Sequence, residues 1–154
     1  MKRLKIKTER SDLSVCFWEG PADAPILHWA HANGFNGRTY DKLLRKLAGK
    51  FNVYAWDTPG YGMSGKGPFY DEVNPILGYS YDLEALITEL NKKHNRKILL
   101  GGHSIGGSLS LMVSKYIGEK ISGLVLADPV VINFHYQYLT KYLSSFGYDS
   151  STLK

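Results

Sequence analysis

The sequence predicts an α/β protein: a mostly parallel sheet with helices on both faces. Three observations carry that expectation. Short apolar runs at residues 26–30, 51–56, 98–100 and 121–127 have strand length and composition. Segments with apolar residues at three- and four-residue spacing separate them, the alternation of a sheet built by right-handed crossovers. Glycine-rich turns follow the first three runs and end near residues 36, 64 and 106. In such sheets ligands bind beyond the carboxyl ends of the strands, so three separate segments point at one crevice.

Taken in order, residues 4–8 and 13–18 alternate as two antiparallel strands around the turn Arg10-Ser11-Asp12. Residues 21–25, bounded by Pro21 and Pro25, form a loop, and residues 26–30 a buried strand interrupted only by His28. Thr39 can cap a helix with Tyr40, Leu43, Leu44 and Leu47 on its apolar face, ending near Gly49. The strand at 51–56 runs into a turn at 57–64, and residues 65–78, with Pro68, Pro75 and three glycines, read as loop. Leu83, Leu86, Ile87 and Leu90 mark an amphipathic helix that ends in Lys92-Lys93-His94. After the strand at 98–100, Ile105, Leu109, Met112, Val113 and Tyr116 recur with helical period; the strand at 121–127 closes on Asp128-Pro129.

The 154 residues suffice for one domain with a sizeable core, and 44% hydrophobic with 21% charged residues is ordinary for a globular protein. A net charge of +5 is modest, and Lys2, Arg3, Lys5 and Lys7 alternate with apolar residues as an edge strand does. No nucleic-acid partner is expected. Cys16 is the single cysteine, so no internal disulfide forms and a reducing, cytoplasmic setting is expected. No run reaches membrane-spanning length, no secretory leader is evident, and no cofactor or metal is expected.

The chemistry concentrates in Gly102-His103-Ser104-Ile105-Gly106, a G-x-S-x-G pentapeptide at a strand-to-helix junction. That junction is what a nucleophile elbow requires: a tight turn holds the serine in an unfavourable backbone conformation, and small flanking residues let strand and helix approach. Ser104 would project above the sheet, and the Ile105 amide, at a helix N-terminus, could hold a developing oxyanion. The plainer alternative is a glycine-rich turn with a serine cap. No G-x-G-x-x-G occurs at this turn and no phosphate-loop lysine follows, which argues against nucleotide binding.

Three motifs in this order and spacing resemble the serine-nucleophile branch of the α/β-hydrolase superfamily. His31-Ala32-Asn33-Gly34-Phe35 is similar to the oxyanion loop after the third strand, with Asn33 where many members have histidine. Asp57-Thr58-Pro59-Gly60-Tyr61-Gly62-Met63-Ser64 resembles the D-x-P-G-x-G-x-S turn after the fourth, and residues 102–106 the elbow after the fifth. The resemblance implies Ser104 as nucleophile, the Ile105 and Phe35 amides as oxyanion donors, and Gly34 as the residue that lets the backbone approach substrate. Asp57 and Pro59 would shape a turn, and His103 would pack.

The family order is Ser, then Asp or Glu, then His, with the acid usually after the seventh strand and the histidine after the eighth. The chain as given ends at Lys154, so the resemblance covers a fold truncated after the sixth strand: residues 1–130 as core and 131–154 as the start of a cap. Asp128 is the candidate acid, against the plainer reading of a strand terminator. The chain as given holds no histidine at the family's catalytic position. His135, the only histidine after Ser104, lies where the family begins its cap and is the one remaining candidate base, against the plainer reading of a cap residue. His31 would steady the oxyanion loop, and His28 and His94 read as strand and helix-end residues. Phe134, Tyr136, Tyr138, Tyr142, Phe146 and Tyr148 would suit a cap over an apolar pocket, or are aromatics lacking partners. The expected activity is hydrolysis of carboxylic esters or related acyl substrates of apolar character. The alternative is an inactive paralogue that binds a ligand or partner, with self-association through an open sheet edge.

Overall fold

The computed structural model describes residues 1–67 and 75–130. Six strands, β1 (Lys2–Lys7), β2 (Asp12–Trp18), β3 (Ile26–Ala30), β4 (Asn52–Trp56), β5 (Ile98–His103) and β6 (Ile121–Ala127), form one sheet in the order β1-β2-β4-β3-β5-β6. β1 pairs antiparallel with β2 and β2 with β4; β4, β3, β5 and β6 are mutually parallel. Three helices, α1 (Asp41–Leu47), α2 (Pro75–His94) and α3 (Ile105–Ser114), supply the crossovers. The fold is the α/β class the alternation predicts.

Strand alternation divides the core between two faces. Ile26, Ala30, Tyr54, Trp56, Ile98 and Leu100 face α2 and α3, where Leu83, Leu86, Ile87, Leu90, Leu109 and Val113 meet them. Leu27, Trp29, Val53 and Ala55 face the other way with Leu44 of α1. The four apolar residues picked for α2 are at most 1% exposed, so its periodicity marks the buried stripe.

Several local expectations change. β1 starts at Lys2, and Thr8 belongs to the turn, its hydroxyl accepting the Arg10 and Ser11 amides. Thr39 does not cap α1. Asn36 caps a 3-10 turn at Gly37–Tyr40, its side chain bonding the Thr39 amide, and α1 begins at Asp41 without a side-chain cap. The stretch read as loop to residue 78 is helical from Pro75, which opens α2 because a first-turn proline lacks only an amide that would have no intrahelical acceptor. β5 continues through Gly101, whose absent side chain admits the Trp29 ring; a Cβ there would lie 2.8 Å from Cε3. α3 stops at Ser114, leaving Tyr116 exposed rather than on its buried face.

Two polar links tie β1 and the turn after it to the rest. Arg10 Nε and Ser11 Oγ both donate to the buried Asp82 of α2, each at 3.2 Å. Arg3 donates to Ser14 Oγ at 2.8 Å and to Asp57 Oδ2 at 2.5 Å. His28 is fully buried on β3; neither ring nitrogen has a partner among the described residues, and burial pulls its pKa down to about 3. His94, at the end of α2, meets the Tyr54 hydroxyl through Nε2 at 2.9 Å.

Candidate active site

The elbow forms where β5 hands over to α3. Ser104 has φ 54° and ψ −124°, a conformation non-glycine residues rarely adopt and one that surrounding structure must enforce. The enforcement is visible at its neighbours. A Cβ on Gly102 would lie 2.4 Å from the Gly106 carbonyl carbon, and one on Gly106 would lie 2.3 Å from the Ala30 oxygen. Strand and helix therefore approach as closely as backbone permits, and only glycine serves at both positions. The Ser104 amide donates to Ala127 O at 3.0 Å, and the Ser104 carbonyl accepts from Ser108 N at 3.2 Å. Ile105 opens α3, placing its amide at the electropositive helix terminus.

The loop after β3 is held from three sides. His31 is buried; the Thr58 amide donates to its Nε2 at 3.0 Å, so Nδ1 carries the proton and donates to Ala32 O at 2.8 Å. Burial holds its pKa below the usual histidine value, outweighing the Ala32 bond and the Asp57 charge. The Tyr61 hydroxyl donates to Asn33 Oδ1 at 2.9 Å, joining this loop to the turn after β4. The Tyr40 hydroxyl accepts the Ala32 amide at 3.1 Å and meets His103 Nδ1 at 2.9 Å, joining it to the elbow. His31 thus steadies the loop, and His103 does more than pack, because it anchors Tyr40.

Gly34, at φ +75°, takes the third position of a turn in which the Phe35 amide donates to Ala32 O at 3.1 Å. The amide expected as a second oxyanion donor therefore has an internal acceptor here. That acceptor has a second donor in His31 Nδ1, so releasing Phe35 would not strand the carbonyl.

Asp57 shapes the turn after β4. It is wholly buried, accepts the Gly37 amide through Oδ1 and the Met63 amide through Oδ2, each at 2.9 Å, and pairs with Arg3. Gly62, at φ +54°, sits where a Cβ would strike this carboxylate at 2.4 Å. Ser64 Oγ closes the turn on the Asp57 carbonyl and accepts the Ser14 amide at 2.9 Å. Arg3 and the Tyr40 hydroxyl are contributors that the sequence reading passed over; their alternation and amphipathic spacing carry no signal of a specific partner.

Asp128 is exposed at the carboxyl end of β6 with φ 46°. The residues around it are tied to the elbow: Ala127 O accepts the Ser104 amide, and Val130 O accepts Ser108 Oγ at 2.6 Å. Each of the four described histidines is bonded to another group or enclosed: His31 with Ala32 and Thr58, His94 with Tyr54, His103 with Tyr40, and His28 in the core. His135 and the tail aromatics lie outside the described residues. Among the described residues no group of three metal-ligating side chains converges, and no helix is long and apolar enough to cross a membrane.

A mostly parallel sheet with a strained serine between two obligate glycines at a helix N-terminus fits an α/β-hydrolase. The model of the family described as "Serine aminopeptidase, S33" matches residues 24–150, and the chain belongs to that α/β-hydrolase family. It is 29% identical over 126 residues to the abhydrolase domain-containing protein abhd-5.2 of Caenorhabditis elegans, covering 79% of this chain and 28% of that protein. It is 25% identical over 118 residues to the pimeloyl-(acyl-carrier protein) methyl ester esterase of Edwardsiella ictaluri, covering 73% of this chain and 40% of that one. The fold also matches a structure of a putative lipase from Acinetobacter baumannii with TM-score 0.74 at 21% identity, over 85% of this chain and 42% of the other. The chain thus spans between 28% and 40% of the length of these two curated relatives.

Proposed function

We propose that the chain carries the nucleophile and oxyanion half of a serine hydrolase of carboxylic esters or related acyl substrates. The observation that carries the reading is Ser104, at φ 54° and ψ −124° between Gly102 and Gly106 and directly before α3. In the proposed reaction the Ser104 oxygen attacks the acyl carbon, and its proton passes to a base. The carbonyl electron pair moves to oxygen as the tetrahedral oxyanion forms, and the Ile105 amide donates to it. The Phe35 amide joins once it leaves Ala32 O, Gly34 giving the backbone room to turn. Collapse expels the protonated leaving group and leaves an acyl-serine, which water hydrolyses to acid and free Ser104. Asp128 is the candidate acid to orient the base, as its fixed place beside the elbow allows. Apolar esters suit the exposed Phe35 on the loop.

Ser104→Ala in the protein as encoded is expected to abolish turnover of short-chain p-nitrophenyl esters, while Ser108→Ala retains it. Retained turnover in Ser104→Ala would reject the reading. A second reading, a ligand- or partner-binding paralogue, is favoured by one observation: no described histidine engages the Ser104 hydroxyl. Ligand binding by wild type without turnover would support it.

A further inference from the structure

We infer that the surface running from the Phe35 loop along α1 is a docking face for an anionic lipid bilayer. Residues 38–50 carry Arg38, Lys42, Arg45, Lys46 and Lys50 against one carboxylate, Asp41. All five cations are exposed. Asp41 is committed to Trp18 Nε1 at 2.8 Å and to Arg45 at 2.9 Å, so it offsets little of the remaining charge. Lys42, Arg45 and Lys46 stand at three- and four-residue spacing on the solvent side of α1, opposite the buried Leu44.

Apolar side chains border this charge. Leu43, between the cations, is 46% exposed, and Phe35, whose ring packs edge-on against Tyr40 just before α1, is 44% exposed. Met63 is 71% exposed, and its amide shares the Asp57 carboxylate with the amide of Gly37, which places it beside the start of the basic segment. Cations to meet phosphates and apolar side chains to enter the acyl boundary together fit a membrane interface. An acidic soluble protein would satisfy the cations but leave Leu43 and Met63 without a role. Docking on this face would bring the loop before α1, and with it the elbow, towards the lipid.

The test is co-sedimentation of the protein with phosphatidylcholine vesicles with and without phosphatidylglycerol. The expected result is binding to the anionic vesicles alone, weakened by added salt. Lys42→Glu with Lys46→Glu should lower the partition coefficient about 25-fold or more, taking about fivefold per cation. Both side chains are exposed, so an unchanged thermal midpoint checks the fold. Ser104→Ala should bind as wild type does, which separates this inference from the hydrolase reading. Equal binding to both vesicle types, or an unaffected double variant, would overturn it. So would capture of soluble polyglutamate by a protein that ignores vesicles, an outcome that assigns the face to an acidic protein.

Discussion

The Ser104 amide donates to the Ala127 carbonyl at 3.0 Å, so the candidate nucleophile is fixed to the strand end that carries Asp128. Asp128 itself holds a left-handed backbone, φ 46°, ahead of a proline. Asp128→Gly should relieve that backbone and raise stability by about 1 kcal/mol in urea unfolding. If Asp128 orients the base, Asp128→Asn also lowers kcat by about 10⁴-fold with little change in KM. Unchanged kcat would leave Asp128 a turn residue.

Close packing at the elbow sets a second expectation. Gly106→Ala would push a methyl to 2.3 Å from the Ala30 oxygen, backbone against backbone, where no rotamer change gives relief. It should cost about 3 kcal/mol or more in denaturant titrations. Gly118→Ala, which meets nothing within 4 Å, serves as control and should change little.

Asp57 organises the loops on which the site rests. Asp57→Ala strands the Gly37 and Met63 amides and leaves Arg3 unpaired, an expected loss of about 3–5 kcal/mol. Arg3→Met should cost less, because the buried Asp57 carboxylate keeps the Gly37 and Met63 amides as donors, whereas Asp57→Ala strands both amides as well as Arg3. Urea midpoints of the two variants check the order.

Acid should destabilise the protein through its buried histidines. His28 titrates near 6.5 when unfolded and about 3 when folded, so in that window only the unfolded chain gains the proton. The stability present above pH 6.5 is therefore lost as pH falls through it, at about 1.4 kcal/mol per pH unit. His31, also lowered by burial, acts in the same direction. His28→Leu should flatten this acid limb in urea titrations at stepped pH; an unchanged slope would contradict the assignment.

Tyr40 makes a hydrogen-bonded link between the loop after β3 and the elbow. Tyr40→Phe keeps the ring but leaves the Ala32 amide and His103 Nδ1 without that partner, at a cost of about 1–2 kcal/mol. The nitrogen resonances of His103 should shift with it, a readout that simple loss of packing would not move.

The strands and the elbow were legible because period and glycine placement are local properties. Leu83, Leu86, Ile87 and Leu90 name their own buried face, and Gly102-x-Ser104-x-Gly106 names a turn that few other sequences tolerate. Ion pairs were not legible. Arg3 on an alternating edge strand resembles its neighbours Lys5 and Lys7, and only the three-dimensional approach of Asp57 distinguishes it. The start of α2 is not legible, because Pro75 signals a break and a helix start alike. The Phe35 amide shows a further limit: sequence places it in the loop, whereas its acceptor depends on the turn that Gly34 makes.

The most direct test of the central claim is to expose the protein to a fluorophosphonate and locate the adduct by peptide mass spectrometry. One phosphonylated residue, Ser104, is expected, with no adduct in Ser104→Ala. An unlabelled Ser104, or labelling that persists in Ser104→Ala, would contradict it.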